Sequence, residues 1–213
     1  MAIKKEVNCT CPECDRVFIS KGYEIVNGSV DEHLRQAVVT GRIFDFTCPN
    51  CNHIFRQLYA TAYQDMEKQV MIFLDLGDHD WSEKIAETKA LFPNYSFRVV
   101  RDMMAYIEKI HIFSAGLNDK VITYLEAYIK KSMVDRKAET GIEPSQVLFD
   151  SLHGSKGLIS FGVLNPQKKR VMIDTPITDY QHLLNQSAIK ERFSEKDDDY
   201  FIDEGWVKRL EMG

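Results

Sequence analysis

Two tetrapeptides of one form constrain this chain more than any other feature: Cys11-Pro12-Glu13-Cys14 and Cys48-Pro49-Asn50-Cys51. Two intervening residues let a single tight turn present both sulfurs to one cation, and two such turns complete a tetrahedron. The proline after each first cysteine fixes φ and helps set the turn. The residue after each pair needs a left-handed backbone, and Asp15 and Asn52 are the non-glycine types that tolerate it best. The likeness runs on, since CPECDRVF is followed 37 residues later by CPNCNHIF. Phe18 and Phe55 therefore take equivalent places beside the metal. The expectation is one structural Zn²⁺ per chain, held by Cys11, Cys14, Cys48 and Cys51 in a zinc ribbon with strands leaving each knuckle.

Competing uses of these cysteines fit less well. A catalytic zinc needs an open position or a non-thiolate ligand, and four thiolates close the shell. A thioredoxin-like pair is disfavoured because the motif occurs twice and lacks a βαβ setting. Cys9 is the fifth cysteine; its CxC spacing with Cys11 makes it an alternative ligand, but an unligated thiol is preferred. His33 and His53 find no vacancy in the shell and read as surface or capping residues.

All five cysteines fall within the first 51 residues. The start MAIKKEV has no following apolar stretch, so no secretory signal is read there. The longest purely apolar run, Val70 to Leu74, is far too short to span a bilayer. These features lead to the expectation of a cytoplasmic protein with no membrane partner, where paired cysteines are metal ligands rather than disulfides. The net charge is −5, and residues 1–60 carry seven Lys or Arg against seven Asp or Glu. Four thiolates and one divalent zinc bring that segment to about −2. Neither half has the basic surface that a phosphate backbone needs.

At these residues the chain resembles the CpXC family of bacterial proteins. The likeness extends from CPEC and CPNC through TGRIFDFTCPNCNHIF, YQDMEKQVMIFLD and IEKIHIFSAGLNDKVITYLEAYIKK, about residues 7–137. Each knuckle departs from the family's usual CPxCG pattern at Asp15 and Asn52. The resemblance implies zinc binding at Cys11, Cys14, Cys48 and Cys51, and no substrate.

Periodicity and turn residues predict an α+β protein: an N-terminal zinc ribbon with a β-hairpin, then two helices and a C-terminal antiparallel β-meander with helices. The expected modules are 1–100 and 101–213. Between the knuckles, Tyr23 and Ile25 read as a short strand, and Asp31 caps a helix that Gly41 ends. Strands are expected over 54–63 and 69–74, joined at Asp65 and Glu67. A helix over 82–91 and a strand over 95–100 follow. Asp102 caps a helix with Tyr106, Ile107, Ile110 and Phe113 on one face, and Gly116 stops it.

Asn118 caps a second helix, whose stripe Val121, Ile122, Leu125, Ile129 and Met133 is expected to bridge the modules. Lys120, Glu126, Lys130 and Lys131 suit its solvent side. A connector over 135–144 leads to strands over 147–152, 158–164 and 170–174. A helix from Thr178 or Asp179 to about Phe193, the acidic run Asp197 to Asp199 and an amphipathic end over 200–212 complete the chain. Phe18, Phe55 and Tyr59 are expected either to find cover or to mark a partner-binding patch.

No motif identifies an enzyme. Gly154-Ser155-Lys156-Gly157 lacks Walker spacing and reads as a hairpin turn. Asp75, Asp78, His79 and Asp80 do not match a calcium loop and read as solvated. His111 reads as packing within an apolar helix, His153 as beside a turn, and His182 as exposed. Asp150, Ser151 and His153 include the residue types of a hydrolytic triad, but adjacent strand residues alternate sides and no nucleophile elbow surrounds the serine. Three function classes remain. The preferred one is a non-enzymatic interaction module whose partner is another protein or a second copy. The others are a nucleic-acid binder, for which Lys168, Lys169 and Arg170 form only a short cluster, and an enzyme with an unrecognised site.

Overall fold

The computed structural model describes residues 2–77, 81–136, 141–167, 169–185, 191, 193 and 199–212. The chain divides into two compact units, Met1–Ile110 and His111–Gly213. Helices and mixed sheets make it α+β, with the N-terminal strands and the cysteine cluster in the first unit.

The first unit runs β1 (Ile3–Thr10), β2 (Val17–Asn27), α1 (Glu32–Val39), a 3-10 turn (Arg42–Phe44), β3 (Asp45–Thr47), β4 (Ile54–Arg56), β5 (Thr61–Asp65), β6 (Val70–Leu74), α2 (Trp81–Leu91), β7 (Ser96–Val100) and α3 (Met103–Ser114), whose last turn belongs to the second unit. A five-stranded sheet has the order β1-β2-β5-β6-β7, and β3 with β4 forms a separate two-stranded ribbon. Pairing is antiparallel for β1–β2 and β5–β6 but parallel for β2–β5 and β6–β7. β6 is buried at all five positions, which explains an apolar run without alternation. Asp31 Oδ1 accepts from Leu34 N at 2.9 Å, a cap worth about 1 kcal/mol. Gly41, at φ 72°, ends that stretch in the left-handed region.

Two strand expectations need correction. The short strand near Tyr23 is 11 residues long, because it pairs with β1 from the knuckle onward. The strand expected over 54–63 is two strands in different sheets, β4 and β5. Between them the backbone leaves the ladder and Tyr59 turns inward, its hydroxyl donating to Ile43 O at 3.1 Å. The aromatic content of that stretch records burial rather than one continuous strand.

The second unit contains α4 (Asp119–Asp135), β8 (Gln146–His153), a 3-10 turn (Gly154–Lys156), β9 (Leu158–Leu164), β10 (Arg170–Pro176), α5 (Ile177–Asn185) and α6 (Glu204–Met212). The three strands form the expected antiparallel meander, order β10-β9-β8. The connector residues 137–140, the stretch 186–190 through which α5 was expected to continue, and Asp197 and Asp198 of the acidic run lie outside the described residues. Asn118 caps α4 as expected, its Oδ1 accepting from Lys120 N at 2.9 Å.

The stripe on α4 does not need the bridging role expected of it. Val121, Ile122, Leu125, Ile129 and Met133 are buried in a cluster with Val147, Phe149, Ile159, Phe161 and Val163 of the meander. Lys120 also departs from its expected place. It is fully buried, with its ammonium 2.7 Å from the Asp199 carboxylate and 6.0 Å from the centroid of Trp206. The C-terminal segment covers the first turn of the helix, so the buried arc there is wider than the apolar stripe. Glu126 is half-buried and accepts from Phe149 N at 2.9 Å, while Lys131 is exposed. On β8 the register with β9 shifts between Phe149 and Ser151, leaving Asp150 as an extra residue.

Candidate metal centre

Each CPxC segment is the turn of a β-hairpin. The first joins β1 to β2, with Thr10 opposite Val17, and the second joins β3 to β4, with Thr47 opposite Ile54. The backbone bonding repeats. Asp15 N donates to Cys11 O at 3.0 Å and Cys11 N to Arg16 O at 3.0 Å; Asn52 N donates to Cys48 O at 3.0 Å and Cys48 N to His53 O at 2.9 Å. Asp15 and Asn52 take φ of 54° and 59°, the left-handed values the pattern requires.

The two turns bring four sulfurs within 4.8 Å of one another, a group that could hold a metal ion. Cys11 Sγ lies 3.6 Å from Cys51 Sγ, and Cys14 Sγ lies 3.7 Å from Cys48 Sγ. A tetrahedron with metal–sulfur bonds of about 2.3 Å has edges of about 3.8 Å, so the spacing suits one such ion. Disulfides would need sulfurs about 2.05 Å apart, and all five cysteines are free. Cys11 and Cys48, the first of each pair, are buried, whereas Cys51 is exposed. Asn50 donates twice into the cluster, from its backbone N to Cys48 Sγ at 3.4 Å and from Nδ2 to Cys14 Sγ at 3.6 Å.

These contacts push two thiols of one cluster in opposite directions. Burial works to raise Cys48, but N–H groups of Cys51 and Asn50 and the Cys14 thiol outweigh it and bring it down to about 6. At Cys51 the backbone N–H of His53 works downward, yet burial and the sulfurs of Cys14, Cys11 and Cys48 push it up to about 12. Negative charge on one sulfur opposes it on the next, a conflict that a divalent cation held between them would relieve.

Aromatic rings pack around the knuckles. Phe18 and Phe55 meet edge to face at 6.2 Å between centroids, as their equivalent positions require. Phe55 also lies 6.3 Å from Phe46, and His53 stacks on Phe55 at 6.4 Å. Phe18 and Phe55 are half-buried, while Tyr59 is buried rather than exposed.

Cys9 lies outside the cluster and is fully buried. The 37-residue offset explains it: Cys9 stands where the second knuckle has Phe46, and each faces a phenylalanine across its hairpin, Phe18 or Phe55. It fills a packing position, and burial raises its thiol pKa. That register was present in the sequence as NCTCPEC against DFTCPNC.

The other singled-out residues lie outside the cysteine cluster. His33, His53, His153 and His182 are exposed, and so is His111, which therefore departs from its expected packing role. Asp75 is buried rather than solvated, accepting from Gly77 N at 3.1 Å, while Asp78, His79 and Asp80 lie outside the described residues. The segment Gly154–Lys156 is a 3-10 turn between strands, as a hairpin reading requires. Lys168 is outside the described residues, and Arg170 pairs with Asp150. The alternation argument against grouping Asp150, Ser151 and His153 fails, because the bulge brings their side chains together.

No helix among the described residues is long and apolar enough to cross a membrane. A family model described as CpXC protein matches residues 9–126, which include both knuckles. No curated protein and no solved structure matches the chain.

Proposed function

This chain belongs to the CpXC family, and from that premise we propose that Cys11, Cys14, Cys48 and Cys51 bind one structural zinc ion within a protein-interaction module. The observation that carries the metal reading is the pair of sulfur separations, 3.6 and 3.7 Å, between two knuckles of matching hydrogen bonding. Four thiolates suit a borderline-soft ion, close its shell and leave no position for a substrate. Such a centre organises a surface instead of performing a reaction. A reducing compartment such as the cytoplasm keeps the thiols available for it.

Large apolar side chains stand exposed beside the knuckles. Val17, Ile19 and Ile54, on strands that flank the knuckles, are 67%, 63% and 68% exposed. Exposed side chains of this size, held on a rigid ribbon, favour a protein partner or a second copy of the chain over nucleic acid. The net charge of −5 points the same way.

Metal analysis of dialysed protein should return close to one zinc per chain. Co-purification from the native cell should then recover a bound protein, or a second copy, that Ile54→Glu and Val17→Glu release without loss of zinc. Metal-free folded protein would overturn the first half of the reading. Unaltered partner recovery with both variants would overturn the second.

A further inference from the structure

In the second unit, Asp150, Ser151 and His153 of β8 and Arg170 of β10 form one chain of contacts. Ser151 Oγ donates to Asp150 Oδ2 at 2.8 Å and lies 3.1 Å from His153 Nε2. The Arg170 guanidinium donates to the other oxygen of Asp150. Two features of the meander build this group. The bulge at Asp150 breaks the alternation of β8 and puts a carboxylate beside the serine. Gly162, on the strand between, leaves room for Arg170 to cross, since a Cβ there would stand 2.5 Å from Arg170 Nε. The cluster is open to solvent: His153 is exposed, Ser151 is half-buried and Arg170 retains 52% side-chain exposure.

The geometry points to Ser151 as a nucleophile with His153 as its base, transferring acyl groups from small activated esters to water. The hydroxyl has one hydrogen and two acceptors within reach. Arg170 engages Asp150 and weakens its pull on that hydrogen, whereas the imidazole can take the proton and give it back. Ser151 Oγ attacks the ester carbonyl carbon as His153 Nε2 accepts its proton. The bond to the leaving oxygen breaks, and that oxygen takes the proton from His153. Water, deprotonated by the same imidazole, then cleaves the acyl-serine to a carboxylic acid and free Ser151.

The order of contacts differs from a Ser-His-Asp triad, in which the carboxylate holds the far ring nitrogen. Here Asp150 accepts from the serine hydroxyl itself. The four remaining N–H groups of Arg170 are a source of donors for the negative oxygen of the intermediate. Met172, on the same strand face as Arg170 and 48% exposed, offers apolar surface to a short acyl chain. None of this depends on the metal centre.

A fluorophosphonate probe applied to the full zinc-loaded chain, followed by peptide mapping, tests the assignment. Labelling is expected at Ser151, with hydrolysis of p-nitrophenyl acetate that Ser151→Ala removes. His153→Gln should slow both by about tenfold or more. Ser160→Ala is the control, because Ser160 on the next strand donates to Asp174 at 2.6 Å and faces no imidazole. Absence of label on Ser151 of the unmodified chain would overturn the proposal, whatever the variants do. Labelling of Ser151 at an unchanged rate in His153→Gln would overturn it equally.

Discussion

Around the four sulfurs, β3 and β4 are three residues each and the rings of Phe18 and Phe55 stay half-buried. Around α4, by contrast, Ile122, Leu125, Phe149, Ile159, Phe161 and Trp206 are all buried in one continuous cluster. The three-residue strands β3 and β4 offer little apolar surface, so on the proposed zinc reading coordination bonds hold the second knuckle against the first. The meander and its helices need no such centre, because one helical stripe and one sheet face cover each other. On the zinc reading proposed above, the order of the knuckles depends on a ligand and that of the meander on packing.

The sharpest way to break that contrast is Cys48→Ser. Structural zinc supplies on the order of 10 kcal/mol of apparent binding free energy, so the variant should lose metal and unfold the ribbon. Hydrogen exchange should then rise across both knuckles while the amides of β8 and β9 stay protected. Retained protection at Phe46 and Phe55 would mean that packing, not metal, holds the ribbon.

Phe161→Ala tests the other side. Its ring is fully buried and lies 6.4 Å from Phe149, so truncation should cost about 3–5 kcal/mol in denaturant unfolding of the second unit. Zinc content should stay the same; a fall in metal stoichiometry would show that the two kinds of order are not separable.

Asp199→Ala should cost about 3 kcal/mol, since it leaves the buried Lys120 ammonium without this carboxylate. Thermal unfolding with Lys120→Met as a companion sharpens the point. The double variant should recover part of the loss, because that buried ammonium is then gone.

At the first knuckle, Asp15→Gly should stabilise the ribbon by less than about 1 kcal/mol, because φ of 54° strains any side chain. A chelator competition would read it as slower metal release.

The smallest effect belongs to Glu204. Hydrogen bonds from Lys130 and then Lys208 hold its pKa below the usual value, and its side chain is 48% exposed. Solvent screening limits the contribution to less than about 1 kcal/mol. Because the folded value is depressed, the stabilisation is present above the ordinary carboxylate range and disappears as pH falls through the folded value. Glu204→Gln should therefore lower the melting temperature slightly at neutral pH and match the parent in strong acid.

Some of this architecture was readable residue by residue. The repeated CPxC form determined which sulfurs meet, because the spacing closes a local turn and needs nothing from the rest of the chain. Asp31, Asn118 and Gly41 marked helix ends through bonds and dihedrals within a few residues. The meander followed from apolar runs separated by short turns. What the tertiary structure alone decided are the choices that compare distant partners. The parallel pairing of β2 with β5 and the division of 54–63 between two sheets depend on which edge is free when a strand arrives. Lys120 is buried because residues some eighty positions later, Asp199 and Trp206, cover it. Asp150, Ser151 and His153 converge because a register shift against β9 adds one residue to β8, and period-two reasoning on a single strand contains no information about its neighbour's register.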